Sequence, residues 1–221
     1  MTKHKSSGKY VSRGGDKLEG ALSAFGIDVR GAHCLDAGAS TGGFTDCMLK
    51  SGAADVASVD VAYGQFDWGL RNDERVRLFE RTNIRNVGAA ELGGPFDVIA
   101  CDISFSSLAG LGAVLYPLLS DEGSLIALIK PQFELPKDIL RDAKQTGVKG
   151  GIIIDTSLQV RAVSHAIRGL SQEGFVIRGA THSPIKGTKG NIEFFVWAQK
   201  GGDSAIIDIE SLVSNAHKEL D

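Results

Sequence analysis

The sequence predicts a doubly wound α/β domain, a mostly parallel twisted sheet with helices on both faces and an antiparallel final strand. Three observations point to it. Short β-rich runs alternate with helical periods along most of the chain, the pattern of strands joined by crossover helices. The first run, His33-Cys34-Leu35-Asp36, opens directly into a glycine-rich turn and a helix. The second, Val56–Asp60, ends on an acid 24 residues after Asp36, where such a sheet places the acid that meets a ribose.

The elements follow in order. Leu18, Ala21, Leu22 and Phe25 fall at i, i+3, i+4 and i+7, which predicts an amphipathic helix closed by Gly26. After the first strand and its turn, Phe44, Cys47 and Met48 begin a second helix that stops near Gly52. Strands are expected at Val56–Asp60, Val76–Phe79 and Phe96–Cys101. Residues 103–120 carry no charge, yet hold Gly110, Gly112, Pro117 and four serines between Asp102 and Asp121. They read as a buried crossover helix in preference to a membrane span. A fifth strand covers Ser124–Lys130, and residues 136–151, polar and basic with three glycines, read as a loop. Val163, Ala166, Ile167 and Leu170 mark a helix closed by Gly174. Phe175–Ala180 and Ile192–Gln199 form a final strand pair, and Ile209, Leu212, Val213 and Ala216 a C-terminal helix.

Composition bounds the rest. The 221 residues suit one domain, residues 10–221, behind a basic tail of residues 1–9. Apolar residues at 43% against 23% charged exclude wholesale disorder, and the 28 glycines show no triplet period, which excludes collagen. A net charge of −3 gives no bulk cationic field, so nucleic acid must be met by a local patch. Cys34, Cys47 and Cys101 are odd in number and form no CxxC pair, and the five histidines show no ligand spacing. No disulfide framework and no metal are expected. With no apolar leader after Met1, the chain is expected to be cytoplasmic.

The strongest local signal is the turn Asp36-Ala37-Gly38-Ala39-Ser40-Thr41-Gly42-Gly43-Phe44. Backbone N–H groups and a helix start can approach a ligand closely there. A dinucleotide fingerprint needs glycine where Ser40 stands, and no phosphate-loop lysine follows. S-adenosylmethionine has no phosphate and tolerates this loop, with Asp60 for its ribose. A turn that merely packs strand on helix is the plainer alternative.

Asp102 ends the fourth strand, at the edge where open α/β sheets bind ligands. Its segment, Cys101-Asp102-Ile103-Ser104, lacks the Asp/Asn-Pro-Pro-aromatic motif of amino-group methyltransferases. Cys101 could be a nucleophile, but inside an apolar strand a buried structural thiol is the simpler reading. Lys130 ends the fifth strand before Pro131, either snorkelling or facing a polar cleft. Glu193 is a lone acid in a β-aromatic run, a sheet-face ion pair or a site residue. Lys17 alone reads as a solvated helix lysine. Tyr63 and Trp68 follow Asp60 and either wall an adenine or pack in the core.

Together these segments resemble the TlyA family of FtsJ-like RNA ribose 2′-O-methyltransferases. The similarity is carried by Tyr10-Val-Ser-Arg-Gly-Gly-Asp-Lys17, Leu35–Phe44 running into Thr45-Asp46-Cys47, Asp60-Val-Ala-Tyr-Gly-Gln65 and Glu80-Arg-Thr-Asn83. It continues through Asp102–Phe105, Ile129–Glu134, Gly150-Gly151, Ser183–Gly187 and Gly190–Phe194. The resemblance implies an S-adenosylmethionine-dependent, Rossmann-like class I methyltransferase fold. It also implies methyl transfer to a ribose 2′-hydroxyl, expected on cytidine, of ribosomal RNA or ribosomal subunits. A Lys-Asp-Lys-Glu tetrad then falls on Lys17, Asp102, Lys130 and Glu193. Cofactor contacts fall on Asp36, Gly38, Ala39, Ser40, Thr41, Gly42, Gly43, Phe44, Asp60, Val61, Asn83 and Asp102. A ribose hydroxyl must lose its proton as the methyl arrives. Lys130 is expected to accept it, with Lys17 as a nearby cation and Asp102 and Glu193 orienting the amines.

Family members usually carry an S4-type RNA-binding domain ahead of this region, whereas nine residues precede Tyr10, so a natural short form or a shortened chain is expected. Basic residues in 1–19, including Lys3, Lys5 and Arg13, and in 178–190, including Lys186 and Lys189, join Arg141 and Lys149 as the expected RNA-facing rim. Scattered solvated charge is the alternative. A non-catalytic S-adenosylmethionine- and RNA-binding factor associated with the ribosome is the second reading of function. Relatives are also labelled hemolysins, but without a leader or membrane segment direct lysis is not expected.

Overall fold

The computed structural model describes residues 8–142 and 147–220; Lys3 and Lys5 of the basic tail lie outside the described residues. Helix α1 (Arg13–Phe25) begins where the Ser12 hydroxyl accepts the Gly14 N–H, and Gly26 closes it with φ of 66°. Strand β1 (His33–Ala37), helix α2 (Gly43–Lys50), strand β2 (Asp55–Val59), the short helix α3 (Trp68–Arg71) and strand β3 (Val76–Phe79) follow. Then come α4 (Ala89–Leu92), β4 (Phe96–Cys101), α5 (Gly112–Leu115), the long strand β5 (Leu119–Ile129), α6 (Pro131–Glu134) and α7 (Lys137–Asp142). A small hairpin, β6 (Val148–Lys149) and β7 (Ile152–Ile153), leads to α8 (Thr156–Gln172), β8 (Val176–His182), β9 (Phe194–Gln199) and α9 (Ile209–Leu220).

Seven strands form one sheet in the order β3-β2-β1-β4-β5-β9-β8. Strand β9 runs antiparallel to β5 and β8, and the remaining pairings are parallel. The order turns back between β1 and β4, so the loops leaving these two strands diverge and open a crevice at their C-terminal ends. Strand alternation divides the core into two layers. Cys34, Ile126 and Phe195 pack with Leu18, Leu22 and Met48 of α1 and α2. Their neighbours Leu35, Leu125 and Phe194 face α8, α9 and the 108–118 segment.

Two expectations need correction. The uncharged stretch is not one crossover helix: a 3₁₀ turn at Leu108–Gly110, α5 and a second 3₁₀ turn at Tyr116–Leu118 divide it. Gly110, Gly112 and Pro117 interrupt helix propagation, while Leu108, Leu111, Leu115 and Leu118 still bury one face. Residues 136–151 are not plain loop, because α7 and the first strand of the hairpin lie within them. Among the described residues, no helix is long and apolar enough to cross a membrane.

Candidate active site

Gly38 sets the crevice floor. Its φ is 94°, and a Cβ there would stand 2.8 Å from the Asp102 carbonyl oxygen, so only glycine lets the loop after β1 touch the end of β4. Gly38, Ser40 and Asp102 then line three adjoining clefts.

The first cleft, about 440 Å³, lies over the ends of β1 and β2 and is lined by Asp60, Val61, Asn83, Ile103 and Leu111, among others. The Ser40 N–H donates to Asp60 Oδ2 and the Ala62 N–H to Oδ1, each at 2.7 Å, tying the two loops together. Asn83 caps the turn at Ile84–Asn86 by accepting the Arg85 N–H. Val61 stands exposed on the rim. Ala39, Thr41, Gly43, Phe44 and Arg13 belong instead to a second cleft of about 420 Å³. Gly42 lines none of the three and packs toward Phe66 and Leu70.

Asp36 lies beneath the loop, away from the cleft walls. It is fully buried, its Oδ2 accepts the Thr45 N–H (2.9 Å) and hydroxyl (2.7 Å), and Oδ1 has no hydrogen-bond partner. Burial pushes its carboxyl up to about 7, against the pull of the Thr45 donors. Its visible role is to hold the start of α2 on β1.

The third cleft is a cavity of about 860 Å³ lined by Lys17, Asp102, Lys130 and Glu193 together. Lys17 Nζ lies 2.6 Å from Glu193 Oε2, with both residues buried. Lys130 Nζ lies 2.5 Å from Asp102 Oδ1 and donates to Ser104 Oγ at 2.7 Å. The contact with Asp102 is an ion pair out of hydrogen-bond alignment, since Oδ1 has no hydrogen-bond partner. Two lysine–carboxylate pairs thus share one enclosure.

The basic residues distribute unevenly. Arg13 donates to the Lys186 carbonyl at 2.5 Å, which joins α1 to the turn carrying Lys189 at the cavity wall. Lys149 and Arg141 adjoin the wall residues Gly150 and Leu140. Tyr63 and Trp68 neither line the first cleft nor join the core, being 65% and 75% exposed. Cys101 packs in the core, and burial pushes its thiol up to about 12, as for a structural thiol.

Sequence reasoning missed two residues. Phe105 is 90% exposed, in a left-handed conformation (φ 64°), at the junction of the first cleft and the cavity, 5.1 Å from the Phe133 ring. The sequence marks Phe105 only as the end of the Asp102–Phe105 segment of the resemblance, with no sign of its exposure. Asn191 is buried, accepts the Ile153 N–H at 2.9 Å and donates to the Gly151 carbonyl at 3.1 Å, which fastens the β6–β7 hairpin over the cavity. Its position between Gly190 and Glu193 was the available hint.

Fold and crevice define a doubly wound α/β domain of the Rossmann-like class. A structure from Listeria monocytogenes, described as a candidate S-adenosylmethionine-dependent methyltransferase, shares the fold at a TM-score of 0.60 with 16% identity, covering 86% of this chain and all of that one. A family model described as FtsJ-like methyltransferase matches residues 10–200, and the chain belongs to that family. Its cofactor is S-adenosylmethionine. Among its relatives is the 16S/23S rRNA (cytidine-2′-O)-methyltransferase TlyA of Mycobacterium tuberculosis, 44% identical over 197 residues, covering 89% of this chain and 71% of the relative. A structure from Lactococcus lactis, described as a candidate hemolysin, matches at a TM-score of 0.86 with 41% identity, covering 95% of this chain and 99% of that one.

Proposed function

We propose that this chain transfers the methyl group of S-adenosylmethionine to the 2′-hydroxyl of a ribose in ribosomal RNA, with cytidine as the target nucleoside. The observation that carries the reading is the convergence of Lys17, Asp102, Lys130 and Glu193 on one cavity that shares its floor with the cofactor-side cleft. The fit to the cofactor rests on the Gly38 approach, which keeps the cleft open beside Asp102, and on Asp60, already fixed by two N–H groups with lone pairs left for ribose hydroxyls.

When bound, S-adenosylmethionine supplies a sulfonium methyl as electrophile. The chain does the rest. The cavity holds the nucleotide so that its 2′-oxygen meets that methyl in line. Lys130, ion-paired with Asp102 at rest, acts after its ammonium has released one proton to solvent: the free Nζ takes the hydroxyl proton while the O–C bond forms and the S–C bond breaks. Asp102 and Ser104 hold that nitrogen in place, and Glu193 holds Lys17 on the wall of the same cavity. Phe105, backed by Phe133, offers a ring face for stacking the base of the target nucleotide.

The test is transfer of labelled methyl to unmodified ribosomal subunits by the wild-type chain and by Lys130→Ala. Label at a ribose 2′-oxygen is expected, reduced about 10²–10⁴-fold in the variant with cofactor affinity kept. Near-normal transfer by Lys130→Ala would remove it as the base. Cofactor binding without any transfer would favour a non-catalytic binding role.

A further inference from the structure

A groove of about 400 Å³ lies between α7 and α8, outside the three clefts above. Its floor is apolar, with Leu135, Ile139 and Val160. Along α8 its rim carries Arg161, His165 and Arg168 at i, i+4 and i+7, all exposed, a run of roughly 10 Å along the helix. We propose that this groove docks the phosphate backbone of RNA flanking the target nucleotide, an inference that rests on the function proposed above.

Three observations carry it. Arg161 and Arg168 are the described arginines without a hydrogen bond, ion pair or ring contact. The others donate to carboxylates or carbonyl oxygens, lie on a ring as Arg81 does on Tyr63, or, like Arg141, are otherwise engaged. Two unpaired guanidinium forks on one face suit phosphate oxygens. The groove's one acidic residue does not answer them: Glu134 is buried and accepts the Ser107 hydroxyl and the Leu108 N–H, each at 2.6 Å. Finally, the groove backs onto the acceptor cavity. Phe133 and Leu140 line the cavity, while their chain neighbours Glu134 and Ile139 line the groove, so only the α6–α7 wall separates them. An RNA strand leaving the cavity across α7 meets Arg161 and Arg168 next. An acidic segment of a ribosomal protein is the rival occupant.

The test compares Arg161→Glu/Arg168→Glu with Arg30→Glu/Arg75→Glu. The control makes the same charge change just before β1 and β3, at the opposite edge of the sheet. Binding to protein-free ribosomal RNA and to intact subunits is measured by filter retention from about 50 to 200 mM salt. The α8 variant is expected to bind protein-free RNA about tenfold or more weakly, with the slope of log K against log salt smaller by about 1.4–1.8, and to keep its cofactor affinity. The control is expected to change far less. Unchanged RNA affinity and slope, equal loss in the control, or a wild-type chain that binds no RNA would overturn the inference. A loss confined to intact subunits would assign the groove to a ribosomal protein and overturn it too. Wild-type RNA binding weakened by the α8 changes, without methyl transfer by either chain, would instead sink the proposed function and leave the groove standing.

Discussion

Asp36→Asn isolates a single buried charge. The Asp36 carboxyl is pushed from its ordinary value near 3.8 to about 7 by burial. A carboxyl whose folded pKa exceeds its unfolded one keeps its proton longer in the folded state. Stability is then highest below the unfolded value and falls as pH rises, until the folded value is passed. At about 1.4 kcal/mol per pH unit, that rise is on the order of 4 kcal/mol, lost between about pH 4 and pH 7. About 3 kcal/mol of it falls between roughly pH 4.5 and pH 8. Asparagine keeps an oxygen for the two Thr45 donors and places an NH₂ where Oδ1 has no hydrogen-bond partner, so the shape is kept and the titration removed. The assay is urea unfolding of the cofactor-free protein and of the variant across that range. Because other carboxylates, such as Asp55 and Glu80, are shifted the opposite way, the difference between the two curves is the reading. The variant should gain about 3 kcal/mol on wild type between the two ends. Parallel pH curves would refute the assignment of a protonated buried Asp36.

Two further outcomes are expected. Phe105→Ala should leave unfolding unchanged, since the ring is 90% exposed, yet weaken RNA binding about 5–150-fold if one base stacks there, as titration with ribosomal RNA would show. Gly187→Ala should lower methyl transfer at least about tenfold while S-adenosylmethionine binding holds, because a Cβ at 187 overlaps Glu193 Oε1 and pushes the acid off Lys17. Unchanged turnover would mean that Glu193 need not sit where it does.

Much of the sheet was legible because its strands are short apolar runs bounded by Gly, Asp and Pro, and burial on both faces demands such runs. The segment at 103–120 misled for the same reason. An uncharged run states that a stretch is buried, and only Gly110, Gly112 and Pro117 state that it cannot stay helical. In the site, Asp60 was readable from its distance to Asp36, and Asp102 and Lys130 from their places at strand ends. Lys17 was not. It stands one turn before Ala21, at the edge of the apolar stripe of α1, and a lysine there looks solvated until Glu193, 176 residues away, arrives to pair with it. Phe105 leaves no periodic trace, because a residue held at positive φ on a loop belongs to no repeating face.

The antiparallel strand explains why one acid so far along the chain can complete the cavity. Parallel strands β1, β4 and β5 all deliver their last residues to the same edge, which is how Gly38, Asp102 and Lys130 meet. A further parallel strand would bring its beginning to the opposite edge, and an acid preceding it would lie a strand's length away, on the order of 20 Å for six residues. Strand β9 runs the other way, with Ile129 opposite Phe194, so the residue after β5 and the residue before β9 become neighbours. Those residues are Lys130 and Glu193. The register matters as much as the direction. Side chains alternate between faces, so a slip of one residue would exchange Phe194 and Phe195 between the two core layers. The packing of two fully buried phenylalanines therefore fixes where Glu193 stands. The cavity's chemistry depends on core residues that never touch it.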